Sequence, residues 1–178
     1  MNNERDEMLA LRAAGGCRAS FARLLECHYD RIYRLALRWT ASRAKAEDIA
    51  QDVALKLASA IRSYRSQSAF TTWLHRIAYT TTVDYLRRDQ RIIATEPSEI
   101  SRLLDANGLA DDIDADAFDL WRAVRSLPDQ QRDAVLLVYG EDMSHAEAAS
   151  IMGCSEKTVS WHVHEAKKRL KVLLEATG

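Results

Sequence analysis

The chain has 178 residues, 47% of them apolar and 29% charged, which suits a soluble globular protein of one ordinary domain or two small ones. Its two prolines and six glycines leave long helices as the favoured architecture, and three cysteines with no Cys-x-x-Cys pair argue against a disulfide framework. The net charge of −1 conceals a division along the chain: residues 1–94 hold 16 Lys/Arg against 10 Asp/Glu, residues 95–119 hold one against eight, and residues 120–178 hold eight of each.

The N-terminal stretch carries Glu4, Arg5, Asp6 and Glu7 where a secretory signal would need an apolar run, so a cytoplasmic protein is expected. No apolar run is long enough to cross a bilayer, and no membrane insertion is expected. A short first helix, with Met8 and Leu11 facing inward, ends at Gly15-Gly16. Residues 19–40 place Phe21, Leu24, Leu25, Tyr29, Ile32, Tyr33, Ala36 and Leu37 at helical spacing. A third helix over 44–61 carries Ile49, Val53, Leu57 and Ile61 at intervals of four. After the polar loop 63–68, a fourth helix starts near Phe70, with Trp73, Leu74, Ile77 and Ala78 on its inner side, and ends in the basic run 87–91. The β-branched residues Thr80, Thr81, Thr82 and Val83 weaken this helix without breaking it once it is packed.

Periodicity fades over residues 95–117, where Pro97, Asn107-Gly108 and the acidic residues read as a linker. Its 23 residues span at most ~75 Å when fully extended. A second helical unit occupies 118–178: a helix over 118–126, a helix with Pro128 in its first turn, a short helix ending at Met152 and a last one over 156–175. Ser144 and Glu147 form a capping box for the short helix, and Ser155 can cap the last. The fold class is all-α, with two small helical domains joined by a flexible acidic linker.

Ala149, Gly153 and Val159 have helix-turn-helix spacing: a small residue for close approach, a glycine for positive φ in the turn, and an apolar residue to seat the second helix. Met152, Cys154 and His162 fall on the inward side. Lys157, Thr158, Ser160, Trp161 and His164 then face outward as a recognition surface, and Lys167, Lys168, Arg169 and Lys171 follow as phosphate contacts. His162-x-His164 is not a zinc pair, because residues two apart diverge by ~200° on a helix. No nucleophile constellation, phosphate-binding glycine loop or metal site is legible, so no cofactor, small-molecule substrate or enzymatic activity is expected.

Three strings carry a resemblance over nearly the whole chain. Ala46-Glu47-Asp48 with Gln51-Asp52 is similar to the polymerase-binding helix of sigma factors. Phe70 to Ala78 followed by Asp84-Tyr85-Leu86-Arg87-Arg88 resembles their −10-reading and melting helix. Leu127 to Arg132 with Ser144, Ala149, Gly153, Thr158 and Val159 resembles their −35-reading domain. With the linker in place of a central domain, the chain resembles the extracytoplasmic-function group of the sigma-70 family. The resemblance implies region 2 over 1–94, the acidic linker over 95–117 and region 4 over 118–178. It implies that Glu47, Asp48, Gln51 and Asp52 bind the clamp helices of the largest subunit of core RNA polymerase. Tyr64, Arg65, Phe70, Trp73, Arg76, Thr80, Arg87 and Arg88 would contact −10 DNA, with aromatic rings stacking bases between arginines. Lys157, Thr158, Ser160, Trp161, His164, Lys167, Lys168 and Arg169 would contact −35 DNA. An anti-sigma factor is a further expected partner. Thr80 stands where many relatives have Asn, and Ser160, Trp161 and His162 depart from the usual recognition-helix pattern, so promoter preference does not carry over. The alternative is a stand-alone helix-turn-helix regulator, which would bind DNA without polymerase.

Overall fold

A computed structural model of the chain describes residues 3–95 and 115–175, with side chains placed for 4–91 and 120–174. All regular elements among these residues are helical. They are α1 (Asn3–Ala14), α2 (Arg18–Thr40), α3 (Arg43–Ala60), α4 (Phe70–Thr95), α5 (Ala115–Arg125), α6 (Asp129–Val135), α7 (His145–Met152) and α8 (Glu156–Glu175). A 3₁₀ turn, Ile61–Ser63, follows α3, and a π-helical turn, Leu136–Gly140, follows α6. The chain divides into two compact units, Met1–Ala106 and Asn107–Gly178. Most of the acidic linker, with Asp105, Asp111, Asp112 and Asp114, lies outside the described residues.

In unit 1, α2 and α3 form a hairpin across a two-residue link. Ala41 takes a left-handed conformation and its N–H bonds the Leu37 carbonyl, while the Ser42 hydroxyl accepts from the Lys45 N–H to start α3. Ile49, Val53, Leu57 and Ile61 are all buried at their expected spacing, as are Leu24, Ile32, Leu35 and Trp39 of α2 and Leu74 and Ala78 of α4, the helices that pack on α3. Thr81 and Thr82 are wholly buried, yet each hydroxyl donates to a carbonyl one turn back, Ile77 at 2.7 Å and Ala78 at 2.8 Å. That satisfaction lets a threonine run sit inside a helix core.

The inward face of α1 differs from the expectation. Met8 and Leu11 are exposed, and the buried stripe is Asp6, Ala10 and Ala13. Two alanines permit close helix approach, and Asp6 is drawn inward by His28, whose Nε2 lies 3.1 Å from its carboxylate. His28 is 1% exposed, and burial pushes its pKa down against the opposing pull of Asp6.

Unit 2 packs α5, α6, α7 and α8 around Val124, Ala134, Leu136, Leu137, Ile151, Val159, Val163 and Ala166. Pro128 is the N-cap of α6, one position earlier than expected, and supplies φ −53° and ψ 143° there. Buried Asp133 is paired with the Arg132 guanidinium at 3.1 Å, as an ion in a core requires.

Candidate nucleic-acid and protein interfaces

The acidic candidates occupy one side of α3. Because Ala46, Ile49, Ala50, Val53 and Leu57 form its core side, Glu47, Asp48 and Gln51 are left exposed and Asp52 half-buried. Asp48 accepts a hydrogen bond from the Tyr85 hydroxyl at 3.3 Å, and Lys45 pairs with Asp89 at 3.0 Å, so α4 braces this part of α3. Desolvation and then the Asp48 charge raise the Tyr85 pKa, which keeps the hydroxyl a donor. One further residue belongs to the stripe. Leu55 is 70% exposed and follows Asp48, Gln51 and Asp52 at helical spacing of seven, four and three. Its position off the 49–53–57 core line was the available sequence signal. The surface therefore combines carboxylates, an amide and an apolar side chain on a rigid helix.

The second candidate surface lies on α4 and the loop before it. Arg76, Thr80, Arg87 and Arg91 are exposed along one stripe of α4, and Arg88 and the loop residue Arg65 are exposed as well. The Thr80 hydroxyl donates to the Arg76 carbonyl at 2.9 Å, and Arg65 holds the Arg62 and Tyr64 carbonyls. Two expected stacking residues are corrected here. Tyr64 and Phe70 are each 3% exposed, so neither ring has a free face for a base. They form a cluster with half-buried Trp73 and with His28, ring centroids 5.3–5.9 Å apart. Tyr79 is buried as well, 8% exposed and edge-on to Trp39. These rings shape the 64–70 loop instead: the Tyr64 hydroxyl closes it by donating to the Ser68 carbonyl at 3.0 Å.

The third surface is built by α7, the turn and α8. Ser144 and Glu147 make both halves of the capping box. Gly153 takes φ +69° and ψ 34°, and its N–H bonds the Ala149 carbonyl. The Ser155 hydroxyl accepts from the Thr158 N–H at 3.1 Å, starting α8. With Val159, Val163 and Ala166 inward, Lys157, Trp161 and His164 share one exposed stripe. The structure separates the two hydroxyl candidates from that stripe. Thr158 Oγ1 lies 2.7 Å from Ser155 Oγ, and Ser160 Oγ lies 2.8 Å from His145 Nδ1. Both are half-buried and engaged within the protein. Met152, Cys154 and His162 are half-buried rather than core, and the His162 Nδ1 is buried with no hydrogen-bond partner. Lys167 sits over the Tyr139 ring at 4.9 Å, Lys168 pairs with Glu165 at 2.9 Å, and Arg169 is exposed. The Lys168 hydrogen bond lowers the Glu165 pKa. Among the described residues no cluster of His, Cys, Asp and Glu could hold a metal ion, and no helix is long and apolar enough to cross a membrane.

Known proteins and family models match most of the chain. A model of sigma-70 region 2 matches residues 24–92, and a model of sigma-70 region 4 matches residues 117–170. The ECF RNA polymerase sigma factor SigM of Mycobacterium tuberculosis is 31% identical over 168 residues, covering 94% of this chain and 83% of its own. The RNA polymerase sigma factor YlaC of Bacillus subtilis is 30% identical over 163 residues, covering 86% and 91%. The ECF sigma factor SigE of Mycolicibacterium smegmatis is 31% identical, and the chain spans 60% of its length. Among solved structures, the sigma factor RpoE of Bartonella quintana, held by the anti-sigma factor NepR, gives a TM-score of 0.72 at 26% identity over 87% of this chain and 96% of that one. CnrH bound to the cytosolic domain of CnrY gives 0.74 at 23% identity over 98% and 99%, a likeness of fold.

Proposed function

The chain belongs to the sigma-70 family of RNA polymerase sigma factors, in its extracytoplasmic-function group, and from that premise we propose how its two units divide the work of promoter recognition. The α3 stripe of Glu47, Asp48, Gln51 and Asp52, extended by Leu55, docks on the clamp helices of core polymerase. The arginines of α4, with Thr80 and the 64–70 loop, hold the −10 region as it opens. The helix-turn-helix of unit 2 reads the −35 duplex through α8, with Lys167, Lys168 and Arg169 at phosphates. The domain boundaries follow the same division: region 2 over 1–94, the acidic linker, and region 4 over 118–178.

One observation carries this reading. A single chain pairs, in family order, an exposed carboxylate stripe on a braced helix with an exposed Lys157–Trp161–His164 stripe on a helix-turn-helix. The first has the chemistry for a basic protein surface, and the second has the cations and aromatic edge for a major groove. The chain supplies recognition and polymerase supplies the phosphodiester chemistry, so it is a cytoplasmic initiation factor rather than an enzyme. RpoE, held by its anti-sigma factor, supports control of this chain by a protein of that kind.

Transcription in vitro with purified core polymerase tests the proposal. Adding the chain should start transcripts at discrete sites that core alone does not use. Tight sequence-specific DNA binding by the chain alone, with no effect on initiation by core, would establish a stand-alone regulator instead.

A further inference from the structure

The −35 reading leaves open which base feature α8 detects, and the structure narrows it. Two of the side chains best suited to hydrogen-bond a base edge are already engaged: the Ser160 hydroxyl on His145 and the Thr158 hydroxyl on the Ser155 cap. The exposed stripe that remains is Lys157, Trp161 and His164. Its centre, Trp161, is 55% exposed, and its ring stands edge-on to His162 with centroids 5.0 Å apart. The indole is thus steadied by a neighbour while its outer part faces solvent, flanked by two groups able to approach phosphates or acceptors.

A large apolar surface on a groove-facing helix gains free energy only by covering something apolar. In the major groove the apolar feature that distinguishes the bases is the C5-methyl of thymine. Lys157 one turn earlier donates to purine N7 and O6 or to phosphate, and cannot substitute for that contact.

We propose that Trp161 is a specificity-determining residue that reads a thymine methyl in the −35 element, with Lys157 and His164 orienting α8 on either side. This rests on the assignment of α8 to −35 recognition. The steadied ring selects by shape and apolar contact at one base step, and its neighbours add affinity at any sequence.

The experiment uses holoenzyme formed from core polymerase and the full chain. Promoter duplexes with a randomised −35 element are selected by binding, and each thymine of the recovered consensus is then replaced singly by deoxyuridine, which lacks only the methyl. One position should lose about fourfold in affinity, the value of burying one such group. Trp161→Ala holoenzyme should bind the thymine and uracil duplexes equally at that position, with unchanged helical content because the side chain is exposed. Equal binding of thymine and uracil at every position, with Lys157→Ala still weakening the complex, would overturn the methyl contact while leaving α8 as the reader. A consensus without an A·T pair in either orientation would overturn it as well. Full affinity in both Lys157→Ala and Trp161→Ala would overturn the α8 assignment together with the proposal.

Discussion

Replacing Asp48 by Arg separates the fold of α3 from its proposed partner. Within the protein, the change removes the hydrogen bond from Tyr85, a 3.3 Å contact between side chains that are not deeply buried. That loss costs less than about 1 kcal/mol. A loss of that size lowers the melting temperature of a unit this small by no more than about 4–8 °C. At the interface, one attraction is exchanged for one repulsion. Close interfacial charge pairs contribute upwards of about 1.5 kcal/mol, so reversal should cost about 3 kcal/mol. Core affinity should then fall on the order of 100-fold. Anisotropy titrations of labelled chain with core polymerase, at 0.1 M and 0.5 M salt, measure this directly. The deficit should narrow at the higher salt, where screening shortens below ~10 Å. Gln51→Ala should weaken binding further, and Leu55→Ala should weaken it without a salt dependence, since only apolar contact is removed. Unchanged affinity in Asp48→Arg, with helical content intact, would refute the docking of this stripe.

Three further outcomes follow from the geometry. His28 faces Asp6, Arg31 and His75, and burial holds its pKa below the unfolded value of ~6.5. The unfolded chain therefore binds the extra proton first, so unit 1 keeps this stability above that pH and loses it as pH falls through it. Melting of the full chain from pH 8 to 5 should show the decline, and His28→Gln should flatten it; parallel curves would assign the decline to another group. Gly153→Ala meets no atom within 4 Å of the new Cβ, so its cost is the left-handed backbone alone, about 1–2 kcal/mol. Unit 2 should melt earlier with unit 1 unmoved, and an unshifted unit 2 would contradict the strained turn. Arg169→Ala should weaken −35 duplexes of every sequence and reduce the salt slope by about one. Lys168→Ala should do less, because Glu165 already holds that ammonium. A change of base preference in Arg169→Ala would mean that α8 docks differently.

The helices themselves were legible because their inward faces are made of large aliphatic residues. Ile49, Val53, Leu57 and Ile61 state a period that no other structure satisfies, and Ser144, Glu147 and Gly153 state where a helix starts and stops. Legibility failed where a face is made of small or polar groups. The buried stripe of α1 is two alanines and an aspartate, whose partner His28 lies 22 positions away. It failed again for aromatic rings set among arginines. Tyr64 and Phe70 carry the same local signature whether they stack on a base or on Trp73, and only tertiary packing decides. Ser160 reads as a base contact in sequence for a related reason, since its partner His145 belongs to the preceding helix.

The division of labour around α8 has an evolutionary consequence. Its stability resides in Val159, Val163 and Ala166, and the Ser160–His145 bond lies beside the exposed stripe rather than on it. Substitutions at positions 157, 161 and 164 are therefore nearly invisible to folding, because those side chains give up little or no packing. On the proposed docking of α8, Trp161 can drift to a new side chain at small stability cost while the bound sequence changes with it. A duplicated copy of this chain would need no compensating core mutation to acquire a different set of promoters.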